Sequence, residues 1–243
     1  MRKMYAWAWM GLLMVALACQ EKAPAVQVEV PANKGADLTR HEAAITAFEA
    51  ADADSMPPKE AILFVGSSSI RFWETLAEDM APLPVINRGF GGSTFPELLH
   101  YMDRIVLPYQ PKAIILYEGD NDIVDDSMST QMVLENLQEF ERRVAEKMPE
   151  VKIWFISIKP SIARRHLLDK LRETNRLVKA YIDSKENLEY IDLATPMMDE
   201  SGENIRPEIF ISDSLHMNAL GYQNWATIVK YQLMAAYGPT ETP

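Results

Sequence analysis

Apolar residues along this chain follow two rhythms: short runs, and longer stretches in which they recur every three or four positions. The runs fall at residues 61–65 and 113–117, which are unbroken, and at 85–87, 151–158 and 188–193, which hold Asn87, Lys152 and Ser157, and Glu189 and Asp192. Runs of that length without polar alternation suit parallel strands covered on both faces. The longer stretches have a helical period. Within 129–148, Val133, Leu137, Phe140, Val144 and Met148 are spaced 4, 3, 4 and 4 apart, and Leu168, Leu171, Val178 and Ile182 repeat the pattern within 165–185. Thr94 with Glu97 three residues on reads as a capping box opening a helix through Tyr101. Asn218 reads as the cap of a last helix carried by Leu220, Trp225, Ile228, Val229 and Leu233. Five strands alternating with helices, joined by right-handed crossovers, predict an α/β fold: a three-layer α/β/α sandwich with functional groups at the carboxyl ends of its strands.

Residues 39–238 carry this pattern without interruption, and about 200 residues are enough for one domain with a substantial core. Residues 239–243 read as a tail. The N-terminus has another character. Arg2 and Lys3 precede an apolar stretch at 5–17, then Ala16-Leu17-Ala18 stand directly before Cys19, the sole cysteine. A charged start, an apolar run too short to span a bilayer and small residues at its end make a secretory signal. With the cysteine added, the segment resembles a bacterial lipoprotein signal. That resemblance implies cleavage after residue 18, lipid on Cys19, a tether over 19–38 and anchoring in the bacterial cell envelope, with Gln20 favouring the outer membrane. A single cysteine excludes an intramolecular disulfide. The formal charge of −11, with no basic stripe, excludes nucleic acid as a partner and argues against electrostatic docking on anionic lipid.

Four segments then change the picture. They are Gly66-Ser67-Ser68-Ser69-Ile70, Gly89-Phe90-Gly91-Gly92-Ser93, Glu118-Gly119-Asp120-Asn121-Asp122 and Asp213-Ser214-Leu215-His216. Each follows an apolar run or sits in a short loop. Together they supply hydroxyls, an imidazole, a carboxylate, a glycine amide and an asparagine amide, the groups acyl transfer needs. A serine hydroxyl reacts only when a neutral imidazole can take its proton, and His216 is the candidate for that role. His41, His100 and His166 lie in or at the starts of helical patterns and read as surface or groove residues. Asp213, three residues before His216, can meet Nδ1 across a turn and fix the tautomer. Taken singly, the segments have plain structural readings: a tight turn at Gly91-Gly92, an Asx-turn at Asn121 and a helix cap at Asp213.

In this order the four segments resemble the blocks of the SGNH (GDSL) hydrolase superfamily of esterases and lipases. The resemblance implies a flavodoxin-like sheet of strand order 2-1-3-4-5 and a serine ester hydrolase that needs no cofactor. It selects Ser68 as nucleophile among three adjacent serines, with Asp213 and His216 completing a triad. It implies an oxyanion hole made by the Ser68 backbone amide, Gly92 and Asn121. Ser67 stands where the superfamily usually has aspartate. The superfamily includes lipases, thioesterases and carbohydrate deacetylases, and the lack of a long apolar lid favours short acyl or acetyl esters, including those of glycans.

Around these groups, Arg88, Phe90 and Tyr117 are candidates to line a pocket. Lys159 and Arg164 read as mouth residues or solvated loop charges, and Asn175 as a hydrogen-bonded core amide. No spacing suggests a metal site. Two other classes compete. A serine-rich loop after the first strand suits the phosphate of a flavin or nucleotide, and an esterase scaffold can serve as a non-catalytic glycan-binding surface lipoprotein. The first gives no task to Asp213 and His216.

Overall fold

The computed structural model describes residues 37–239; the expected signal at 1–18, Cys19, most of the tether and most of the tail lie outside them. Five parallel strands form one sheet in the order β2-β1-β3-β4-β5. They are β1 (Ile62–Gly66), β2 (Val85–Gly89), β3 (Ala113–Tyr117), β4 (Lys152–Ile156) and β5 (Leu188–Ile191). The three-layer α/β/α sandwich and its strand order agree with expectation. Strands β4 and β5 stop two residues short of the apolar runs that foretold them, because the chain turns at Ser157 and Asp192 into the loops above the sheet.

Why the strands are so rich in apolar residues is visible in how they divide. Leu63, Val65, Ile114, Leu116, Ile153 and Phe155 face one side, and Ile62, Phe64, Ala113, Ile115, Tyr117 and Ile156 the other. Each set is buried under helices, so the two-residue period of a strand places apolar side chains in two separate cores. The first is covered by α1 (Glu42–Asp54), α4 (Phe95–Ile105), α5 (Thr130–Lys147) and α6 (Leu168–Ile182). The second lies beneath two short helices, α2 (Ser68–Arg71) and α3 (Leu76–Met80), together with α7 (Ala219–Tyr237). Helix α4 begins as expected: the Thr94 N–H donates to the Glu97 carboxylate at 2.9 Å. It runs on to Ile105 because the apolar face continues there. Asn218 caps α7, its Oδ1 accepting from the Gly221 N–H at 3.1 Å.

The interior corrects four expectations. Phe90 is core, packed edge-on against His41 and Tyr101. Tyr117 is fully buried beneath Trp225. Arg88 points away from the strand ends, paired with Asp52 of α1 and bonded to the Tyr109 hydroxyl. Lys159, neither at a mouth nor solvated, is 1% exposed. Asn175 does what a core amide should, accepting from the Ile158 N–H and donating to the Ile158 carbonyl, both at 2.8 Å.

Candidate active site

The carboxyl ends of β1 and β3 are adjacent, and the register sets Gly66 beside both Gly89 and Tyr117. Gly66 has φ +141, and a Cβ there would lie 2.0 Å from the Tyr117 carbonyl oxygen. Only glycine fits, so β1 passes close against β3 and turns at once into α2. The three serines are separated by that turn. Ser67 and Ser69 are 1% and 2% exposed, whereas Ser68 is only half-buried. A phosphate in front of this loop would therefore meet one hydroxyl rather than three.

The last loop comes over this point. Ser214 takes the left-handed conformation at φ 60, and the Asp213 Oδ1 accepts from the Leu215 and His216 backbone N–H groups, each at 2.9 Å. This tight arrangement brings His216 Nδ1 to 2.6 Å from Asp213 Oδ2. The other ring nitrogen, Nε2, lies 3.0 Å from Ser68 Oγ. Burial opposes the charge on Asp213, but the hydrogen bonds from the His216 ring and from the two backbone N–H groups outweigh it and hold the carboxyl down at about 2. The ring of Phe72 packs edge-on to His216 with centroids 5.0 Å apart.

Asn121 follows β3. Its Nδ2 donates to Ser67 Oγ and to the Ser93 carbonyl, both at 2.8 Å, which brings the amide beside the serine loop. The orientation of that amide follows from Arg164: a guanidinium only donates, so the atom it meets at 2.9 Å is Oδ1, and Nδ2 faces the site. Arg164 thus sits at the site as a brace on Asn121 and Asp120. Gly92 has φ +81 with open space around it, and its carbonyl is turned to Arg40 at 2.7 Å.

Behind these groups is a charged network that the sequence reading did not identify. Asp120, 5% exposed, is paired with Arg164 and lies 3.3 Å from Lys159 Nζ. The ammonium also donates to the Leu215 carbonyl at 2.8 Å, so it ties the loop after β3 to the loop that carries His216. Burial pushes Asp120 up, and the two cations prevail and lower it. Lys159 is lowered by its own burial against the pull of Asp120. Glu118 is buried with one oxygen on the Ser93 hydroxyl; burial, then the charge of Asp122, push it well above the ordinary carboxylate range. Asp122 accepts from the Phe95 N–H at the start of α4 at 3.0 Å, and burial raises it to about 7. The one sequence signal was the run Asp120-Asn121-Asp122, which does not say which cations answer it.

His41, His100 and His166 all lie outside this cluster. His41 packs on Phe90 near Glu97, and the other two are exposed. Among the described residues, no group of three or more His, Cys, Asp or Glu side chains is placed to hold a metal ion. Nor is any of their helices long and apolar enough to cross a membrane.

Known proteins with similar sequences or structures complete the picture. A model of the GDSL-like lipase/acylhydrolase family matches residues 45–223. No curated protein matches the chain. Among solved structures, a Streptococcus pneumonia protein described as a candidate platelet activating factor is similar at 23% identity and a TM-score of 0.70, covering 81% of this chain and 94% of its own. A GDSL-like lipase from Bacteroides thetaiotaomicron VPI-5482 is similar at 17% identity and a TM-score of 0.69, covering 82% and 100%. An acetyl xylan esterase is similar at 18% identity and a TM-score of 0.60, covering 71% and 99%. At such identities the structural likeness speaks for the fold. The matched family covers most of the chain and all four segments of the cluster: this protein belongs to the GDSL-like lipase/acylhydrolase family and is an ester hydrolase.

Proposed function

We propose that the protein hydrolyses short-chain carboxylic esters in two steps, through an acyl-enzyme on Ser68. The observation that carries this reading is the chain of contacts from Asp213 Oδ2 to His216 Nδ1 at 2.6 Å and from Nε2 to Ser68 Oγ at 3.0 Å. With Asp213 ionised and accepting from Nδ1, the neutral ring exposes the Nε2 lone pair to the serine proton. The Ser68 oxygen attacks the ester carbon as its proton passes to Nε2. The tetrahedral intermediate collapses, the carbon–oxygen bond to the alcohol breaks, and the imidazolium returns the proton to the departing oxygen. Water then repeats the sequence and frees the acid and Ser68.

The negative oxygen of the intermediate is met by the Ser68 N–H, the Gly92 N–H and the Asn121 amide. Arg164 on Oδ1 keeps the Asn121 N–H groups aimed at the serine loop. Asn121→Ala is expected to reduce kcat about 10²–10³-fold, the usual loss of one oxyanion donor. The KM for a neutral ester should move far less, because the charge exists only in the transition state. Steady-state kinetics decide this, and an unaltered kcat removes Asn121 from the oxyanion hole. Acetylated carbohydrates belong in the first substrate panel, since an acetyl xylan esterase shares the fold.

The protein acts, in this reading, as a lipid-anchored enzyme of the bacterial cell envelope. Support comes from Arg2, Lys3, the apolar stretch at 5–17 and Ala16-Leu17-Ala18 before Cys19; acyl chains on one residue suffice for stable attachment. Cys19→Ser should abolish incorporation of a labelled fatty acid and release the protein from the membrane fraction. Equal labelling of both forms would refute the anchor.

A further inference from the structure

We propose that a groove opening from His216 receives the alcohol half of the ester, and that this alcohol is neutral and apolar; the inference rests on the acyl-enzyme reading above. The groove holds about 790 Å³ and is lined by His216, Phe72, Ile211, Met217 and Leu220, with Glu74 and Asp79 also in its wall. Phe72, Ile211 and Leu220 are 41%, 47% and 41% exposed. Large apolar side chains scattered singly over a surface need no explanation, but three gathered in one concavity beside a reactive imidazole mark a binding surface.

Reaction geometry says which half of the substrate goes there. When the ester carbon is bonded to Ser68 Oγ, its negative oxygen points to Gly92 and Asn121. The departing oxygen must instead come within reach of His216 Nε2 to take back the proton. The alcohol therefore lies on the histidine side. His216 forms part of this groove's wall and neither Gly92 nor Asn121 does, so the groove continues the path of the leaving group rather than that of the acyl chain. The polar groups at its edge narrow the chemistry further. Asp79 accepts from Trp73 Nε1 and the Thr75 hydroxyl, both at 2.7 Å and both through Oδ2, which holds the carboxylate in place in the wall. With Glu74 alongside, the wall repels an alcohol that carries phosphate or carboxylate. An alkyl or aryl alcohol meets Phe72, Ile211 and Leu220 with no such penalty.

Two ester series on the full-length protein test this: alkyl acetates, where the alcohol lengthens, and ethyl alkanoates, where the acyl group does. In the wild type, kcat/KM for the acetates should rise roughly two- to four-fold per added methylene over the first few carbons, the factor set by burying one CH₂. Ile211→Ser and Leu220→Ser should flatten that slope and leave the slope of the alkanoate series at its wild-type value. Tyr231→Ser, on the exposed side of α7 and 78% exposed, should alter neither. The backbone bond from the Ile211 N–H to the His216 carbonyl at 2.9 Å survives the first substitution. A flat acetate series in a wild type with Ser68-dependent activity would overturn the groove assignment alone. So would variants that flatten the alkanoate series instead, or xylose acetates that outpace hexyl acetate and ignore both variants. Absence of Ser68-dependent hydrolysis in either series would overturn the acyl-enzyme reading and this inference with it.

Discussion

Ser68→Ala is expected to lower kcat by a factor on the order of 10⁶, the loss that follows removal of the nucleophile from a comparable triad. The same change should abolish labelling by a fluorophosphonate, which reacts only with an activated hydroxyl. Ser67, Ser68 and Ser69 are chemically identical, so this experiment reads geometry. Ser68 alone is half-buried and 3.0 Å from Nε2, while its neighbours are closed off from solvent. Ser69→Ala should retain labelling. Ser67→Ala should also retain it, although Asn121 then loses the hydroxyl that accepts from Nδ2; a moderate fall in kcat is expected as the amide settles elsewhere. His216→Ala should suppress labelling nearly as fully as Ser68→Ala, since the hydroxyl is unreactive without its base. Peptide mapping that finds the probe on Ser67 or Ser69 would overturn the assignment.

The second large effect lies in the interior. Asp120→Asn keeps the shape of the side chain and removes the charge that compensates Lys159 and Arg164. An ammonium with no solvent exposure then faces a guanidinium without a carboxylate between them. Breaking a buried pair in this way costs about 3–5 kcal/mol, which for a chain of this size lowers Tm by roughly 10 °C. Lys159→Met in the Asp120→Asn background should recover part of the loss, because the second change removes the uncompensated ion. The sign of the pH dependence is a separate check. Lys159 is lowered in the folded protein, so unfolding takes up a proton. Stability should therefore rise with pH until the unfolded lysine value near ~10.4 is passed, and Asp120→Asn should steepen that rise. Thermal unfolding of the wild type and the two variants across alkaline pH measures both. A Tm for Asp120→Asn within a degree or two of wild type would show that the network adds little.

Much of this could be read from residue order because the relevant physics is local. Ile62 to Val65 and Ala113 to Tyr117 are apolar throughout, and runs this short, followed closely by glycine, suit strands covered on both faces. Thr94 with Glu97 and Asn218 with Gly221 satisfy helix ends within three residues. Asp213 and His216 also meet within one loop. What escaped was decided by partners far along the chain. Arg88 follows a strand as a pocket residue would, yet Asp52 of α1 and Tyr109 draw it to the other side. Lys159 follows β4 and looks like a loop charge, but Asp120 and the Leu215 carbonyl, 39 and 56 positions away, draw it inside. The pleat fixes which side of a sheet a residue takes; no local pattern says that a buried carboxylate waits there. The short helices α2 and α3 escaped for another reason, having four and five residues and too little length to show a period.

The distance along the chain between the proposed nucleophile and its proposed base has a consequence for the life of the polypeptide. Ser68 and His216 are 148 positions apart, with all five strands between or beside them, and α7, which roofs the second core, follows the histidine. During synthesis the hydroxyl leaves the ribosome long before its base exists. A chain stalled or clipped before His216 would carry a serine of ordinary alcohol reactivity. In the acyl-enzyme reading, reactivity arrives with His216 in about the last eighth of the sequence, and α7 directly after it completes the hydrophobic interior. On that reading, the first molecule able to cleave an ester is one whose fold is already complete.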